Sequence, residues 1–261
     1  MRKHLLTLSL ALLAACSAAP TGSPAPISPA RDGRELLAQM HDAYAGKWYR
    51  TLTFVQQTTI NRPGQPEQVQ TWYESLLSPD RLRIDFGDPT AGNGVIYTAD
   101  SLYVVRAGKQ TRAVADGNPF LPFVAGLYTQ PLDTSLGQIM PYHFDLSLLR
   151  TDTWQGRPVY VVGAHSASDT TSAQFWVDRE RLVAVRMILA LSPTPNAPPM
   201  DIHLDDYVPV GGGWLATRVV MSNNGVPVQT EQYSDWKANV DLAPAFFDAG
   251  RWASVRHWAV P

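Results

Sequence analysis

The stretch SPDRLRIDFGD, residues 78–88, decides how the rest of the chain is read. Leu82, Ile84 and Phe86 alternate with Arg81, Arg83 and Asp85. On an extended backbone successive side chains point to opposite faces, so the apolar set faces one way and the charged set the other. A period of two therefore predicts a strand with one apolar face and one wet face, the arrangement that antiparallel sheets allow.

The same texture runs outward in both directions. Residues 48–60 and 68–77 are β-branched and aromatic, with Arg62, Pro63 and Gly64 as the turn between them. Short strands are predicted at 94–99, 101–106 and 110–115, then at 145–151, 158–164, 172–178, 182–191, 200–207, 214–222 and 226–236. Asn224-Gly225 suits a type I′ hairpin, because both central residues of that turn need positive φ. Two regions break the alternation. In residues 34–45 (RELLAQMHDAYA), Leu36, Leu37, Met40, Ala43 and Tyr44 recur at helical spacing, with Asp32 placed to cap the helix and Gly46 to stop it. Residues 119–128 and 132–140 carry apolar residues at helical rather than strand spacing, so they read as a helical insert between two runs of strands. The segment NVDLAPAFFD (239–248) reads as a loop with a short turn that plugs a hydrophobic end.

About a dozen strands joined mainly by hairpins cannot stay flat; a sheet of that size curls or closes. The expected fold is mainly β (α+β), an incomplete antiparallel barrel with an N-terminal helix and a short helical insert as lid. This order resembles the LolA/LolB-like fold of periplasmic lipoprotein carriers, mycobacterial lipid-carrying lipoproteins and RseB-type sensors. Three stretches add to the likeness. WYESLLSPDRLRIDF (72–86) resembles the family's second and third strands, FWVDRERL (175–182) its aromatic-hydrophobic-Asp hairpin, and NVDLAPAFFD its closing segment. The resemblance covers residues 33–250 in pattern. It implies a barrel of about 11 strands around a hydrophobic cleft that takes a lipid or the acyl chains of a lipoprotein.

The N-terminus fits an exported, anchored protein. Arg2 and Lys3 precede a short apolar run, and Leu13-Ala14-Ala15-Cys16 resembles the lipobox of bacterial lipoproteins. Cys16 is the chain's one cysteine. The resemblance implies cleavage before Cys16 and a diacylglyceryl anchor on it. Two acyl chains suit that role, since one gives only marginal attachment. The other reading is a plain signal peptide with an incidental cysteine. Ser17, where an Asp would resemble an inner-membrane retention signal, leans toward the outer membrane facing the periplasm. Residues 17–30 are uncharged and rich in Ala, Pro and Ser, a tether composition. The expected divisions are a signal peptide (1–15), a lipidated cysteine and tether (16–30) and one half-barrel domain (31–261).

A formal net charge of −2, without a Lys/Arg cluster, argues against a nucleic-acid partner. No nucleophile elbow, zinc-protease helix or phosphate loop is present. Asp201, His203 and Asp205 share a strand face and could in principle hold a metal, but the wet face of a strand explains them as well. His143 and Asp145 lack a nucleophile. No enzyme activity, cofactor or metal is expected.

The candidate apolar wall of the cleft is Leu82, Ile84, Phe86, Phe175, Val177, Val185, Met187 and Leu189, and the candidate lid residues are Phe120, Phe123 and Leu127. A filled core would use the same residues, so a hollow and a packed barrel both remain open. The alternative function is a non-catalytic envelope sensor or scaffold that binds a protein partner, as RseB-like regulators do. A hydrolase, which would need His203 or His143, is a third reading.

Overall fold

Asp32 accepts a hydrogen bond from the Glu35 amide at 2.8 Å and starts helix α1, Gly33–Tyr44, at the position its side-chain chemistry favours. Gly46, at φ +71°, turns the chain out of the helix. Leu36, Leu37 and Met40 are fully buried on one face. The computed structural model describes residues 29–260 apart from 193, 195 and 196. The expected signal peptide, Cys16 and nearly all of the tether lie outside the described residues.

The first six strands are β1 Thr51–Ile60, β2 Gln68–Leu77, β3 Arg81–Phe86, β4 Gly94–Tyr97, β5 Leu102–Arg106 and β6 Lys109–Val114. A helical insert follows. It comprises a π-type turn Pro122–Gly126, the single turn α2 Leu127–Thr129, helix α3 Leu132–Ile139 and a 3-10 turn Met140–Tyr142. Seven more strands complete the domain: β7 Leu149–Trp154, β8 Arg157–Val162, β9 Gln174–Asp178, β10 Ala184–Leu189, β11 Met200–Val210, β12 Gly213–Asn223 and β13 Val226–Ala238. The expected strand at 145–151 begins only at Leu149, because Asp145 caps a turn with its carboxylate on the Ser147 amide.

Among the described residues all thirteen strands form one antiparallel sheet in the order β6-β5-β4-β3-β2-β1-β13-β12-β11-β10-β9-β8-β7. That is two strands more than the expected 11 or so. Two meanders, β1–β6 and β7–β13, join along a central seam where β1 pairs with β13. The free edges are β6 and β7, and the insert is the segment that connects them. It crosses the concave side of the curled sheet and packs on α1. Trp48 stacks on Tyr128 at 3.9 Å and donates to the Val124 carbonyl, while Tyr128 donates to the Leu182 carbonyl. Asn224 and Gly225 take φ +50° and +75°, the type I′ hairpin expected.

The convex face of β3 is not wet. Arg83 and Asp85 are both buried, and a C-terminal tail covers them. This tail includes the 3-10 turns Pro244–Phe247 and Ala249–Ser254 and reaches His257 and Trp258. Arg83 forms a two-pronged ion pair with Asp85, both contacts at 2.8 Å, and donates to the Phe246 carbonyl. Its guanidinium lies between the rings of Phe246 and Trp252, at 4.1 and 3.7 Å from their centres. His257 meets Asp85 at 3.2 Å. Gly94 makes this possible: a Cβ there would come within 2.6 Å of the Trp252 ring. The alternation in residues 78–88 thus holds, but its charged side is an internal ion pair under a cover.

Candidate functional site

The concave face of the sheet encloses a cavity of about 320 Å³. That volume falls at the low end of the range for small-molecule sites. The barrel is therefore hollow beneath its insert rather than filled. From β1–β4 the wall takes Leu52, Phe54, Leu76, Leu82, Ile84, Phe86, Val95 and Tyr97; from β11–β13 it takes Leu204, Leu215, Val219, Met221 and Tyr233. The insert closes it with Phe120, Leu121, Phe123, Val124 and Tyr128.

Five of the expected residues therefore face the cavity: Leu82, Ile84, Phe86, Phe120 and Phe123. Leu127 is fully buried behind the wall. Phe175, Val177, Met187 and Leu189 belong to the same apolar core but support the insert, Phe175 lying 5.1 Å from the Phe123 ring. Val185 is on the opposite face, in a separate cluster with Val159, Val161, Ala164 and Trp176. A register shift between Ala184 and Arg186 adds a residue to β10 and reverses the alternation there. Simple parity had put Val185 beside Met187; the bulge moves it out of the cleft.

Asp201 and Asp205, two of the three residues weighed as metal ligands, are committed elsewhere. Asp201 holds Arg186 through two contacts of 2.8 Å, and Asp205 binds Arg218 and Gln155. Burial opposes ionisation of Asp201, yet hydrogen bonds from His203 and Arg186 outweigh it and lower its pKa to about 2.

Two carboxyls sit within the apolar wall, and sequence reading had missed both. Glu74 on β2 and Glu231 on β13 flank β1 and are 6% and 7% exposed. Glu231 accepts from the Tyr233 hydroxyl and from the Gln229 amide, each at 2.6 Å. Among the described residues the Glu74 side chain has no hydrogen bond or ion pair. Burial pushes the Glu74 carboxyl well above the usual range, and the negative charge of Glu231 pushes it further. Burial also raises Glu231, against the hydrogen bonds from Tyr233, Gln229 and Gln56. Gln56 is fully buried beside them. Its amide nitrogen donates to Thr58 at 2.8 Å, and its carbonyl oxygen has no partner. Among the described residues no Lys, Arg or His lines the cavity. Glu74 had one legible signal, since it occupies the apolar parity of Trp72 and Leu76. Glu231 had none, because β13 is polar on both faces.

No family model matches this chain, and no curated protein matches it by sequence. Solved structures do match. A DUF1329 family protein from Desulfovibrio piger aligns with a TM-score of 0.58 at 16% identity, over 83% of this chain and 95% of the other. A LolA superfamily protein from Nitrosomonas europaea gives 0.53 at 14%, over 84% and 98%. A Vibrio parahaemolyticus domain assigned to outer membrane lipoprotein sorting gives 0.54 at 13%, over 83% and 97%. At these identities the likeness is one of fold: the chain has a LolA-like open barrel.

Proposed function

We propose that this protein is a lipid-anchored component of the cell envelope whose cavity binds a lipid, or the acyl chains of a lipoprotein, for transport or outer-membrane insertion. The observation that carries this reading is the hollow interior: an apolar space of about 320 Å³ under an insert that spans the two free sheet edges. Burial of each CH₂ contributes about 0.8 kcal/mol, so an acyl chain binds such a wall without chemistry. The LolA-like fold supports the same class of function, and the Vibrio domain's assignment to lipoprotein sorting points the same way. The reading requires no catalytic residue and no cofactor. The anchor is placed on Cys16, and the compartment is the periplasmic side of the outer membrane.

Native mass spectrometry of the purified protein tests it. Extra mass that matches a lipid and disappears on organic extraction is the expected result. A clean unliganded mass, together with a protein partner captured by crosslinking in the envelope, would replace this reading with that of a sensor or scaffold.

A further inference from the structure

We propose that the cavity is built for a cationic amphiphile, a long-chain primary amine whose ammonium group sits against Glu74 and Glu231 while its chain fills the apolar space. The inference rests on the reading of the cavity as a chain-binding site and names the head group that such a ligand carries.

The argument begins with cost. A carboxyl taken out of water without a partner is destabilising, and two that repel each other are more so. A cavity that had only to solvate hydrocarbon would be better lined by Leu or Met at both positions. One that had to hydrogen-bond a neutral ester would be served by Gln. Two acids in a wall that, among the described residues, has no Lys, Arg or His leave any negative charge on the pair without a cation to balance it. One ammonium group placed between them relieves both. Glu74 adds its own sign: its carboxyl lines the cavity nine-tenths buried and, among the described residues, without a hydrogen-bond donor, and an ammonium N–H supplies one.

Position agrees with this. Along β2, Glu74 is flanked on the same face by half-buried Trp72 and fully covered Leu76. Along β13, Glu231 is flanked by half-buried Gln229 and Tyr233. The acids therefore sit in the wall beside its half-buried polar and aromatic residues, while Leu52, Tyr49 and Tyr128 are almost wholly covered. Trp72, Phe86 and Tyr233 line the same cavity, rings whose quadrupoles also attract a desolvated cation. The ionisable groups facing the pair are the hydroxyls of Tyr97 and Tyr233, and both stay neutral near pH 7 because burial raises them.

The test is isothermal titration of the full chain carrying Cys16→Ser, so that no covalent acyl chain competes. Three probes with one chain length are used below their micelle concentrations: dodecylamine, dodecanol and dodecanoate. Dodecylamine is expected to bind at least about tenfold more tightly than dodecanol, with dodecanoate weakest. The double variant E74Q/E231Q is expected to lose the preference for the amine over dodecanol. Equal binding of the three probes by the natural cavity overturns the inference and leaves the chain-binding reading standing. So does a preference that survives in the double variant. Failure of all three to bind overturns both.

Discussion

Glu74 and Glu231 face one cavity from strands on either side of β1, and neither meets a cation there. Buried acids in this relationship hold their protons to higher pH in the folded protein than in the unfolded chain. The stability of the neutral form is complete below the ordinary glutamate range and declines as pH rises, because the unfolded chain then releases protons that the folded one retains. Glu74→Gln is therefore expected to match the natural protein near pH 4 and to exceed it at pH 8. A gain of about 1 kcal/mol corresponds to about 2–4 °C in a domain of this size. Melting curves at both pH values decide it, and a gap that stays constant with pH would count against the assignment.

Arg83 and Asp85 form the opposite case, an acid that has its partner. Removing the cation leaves a buried carboxylate uncompensated, which costs about 3–5 kcal/mol. Arg83→Met is expected to lower the denaturation midpoint accordingly, and Arg83→Met with Asp85→Leu to recover most of the loss. Urea titrations of the natural protein, both single variants and the double variant separate the pair's coupling from simple loss of packing.

Filling the cavity should abolish binding without unfolding the protein. Val219 lines the space, so Val219→Phe places added volume where no atoms are and costs less than the about 1–3 kcal/mol of overpacking a filled core. The bound lipid mass is expected to fall sharply in native mass spectrometry while the melting temperature holds. Val185→Ala, on the far face, is expected to leave the bound mass unchanged.

The anchor has its own test. Cys16→Ser is expected to move the protein from the membrane pellet to the soluble fraction on cell fractionation, with loss of metabolically incorporated palmitate. Continued sedimentation of the variant with membranes would point to attachment by another route.

Much of this architecture was legible because a period of two is a geometric consequence of extended backbone. Leu82, Ile84 and Phe86 reach the cavity as their alternation requires, and Asp32 caps α1 where its side chain suggests. What remained hidden depended on contacts distant in sequence. Arg83 and Asp85 read as solvated because the cover over them arrives from Phe246, Trp252 and His257, more than 160 residues later. Val185 was misplaced because a bulge alters parity without altering composition. Glu74 was passed over because a lone acid in an apolar row looks like a strand's polar side until the neighbouring strands fix which side it is. Whether the barrel was hollow was not legible at all: the same apolar residues serve a wall and a plug.

The seam between β1 and β13 has a consequence for how the chain reaches this state. Thr51 donates its hydroxyl hydrogen bond to the carbonyl of Val240, 189 residues away. Until the last strand is available, β1 has its hairpin partner on one side only, and the sheet's centre is an open edge. Hairpins within each half can form early and locally, but the union of the halves is among the longest-range events the topology allows, and such pairings slow folding. An N-terminal portion made first thus stays incomplete until synthesis is nearly over, so the final polypeptide segment acts as the timer that commits the whole domain to its closed form.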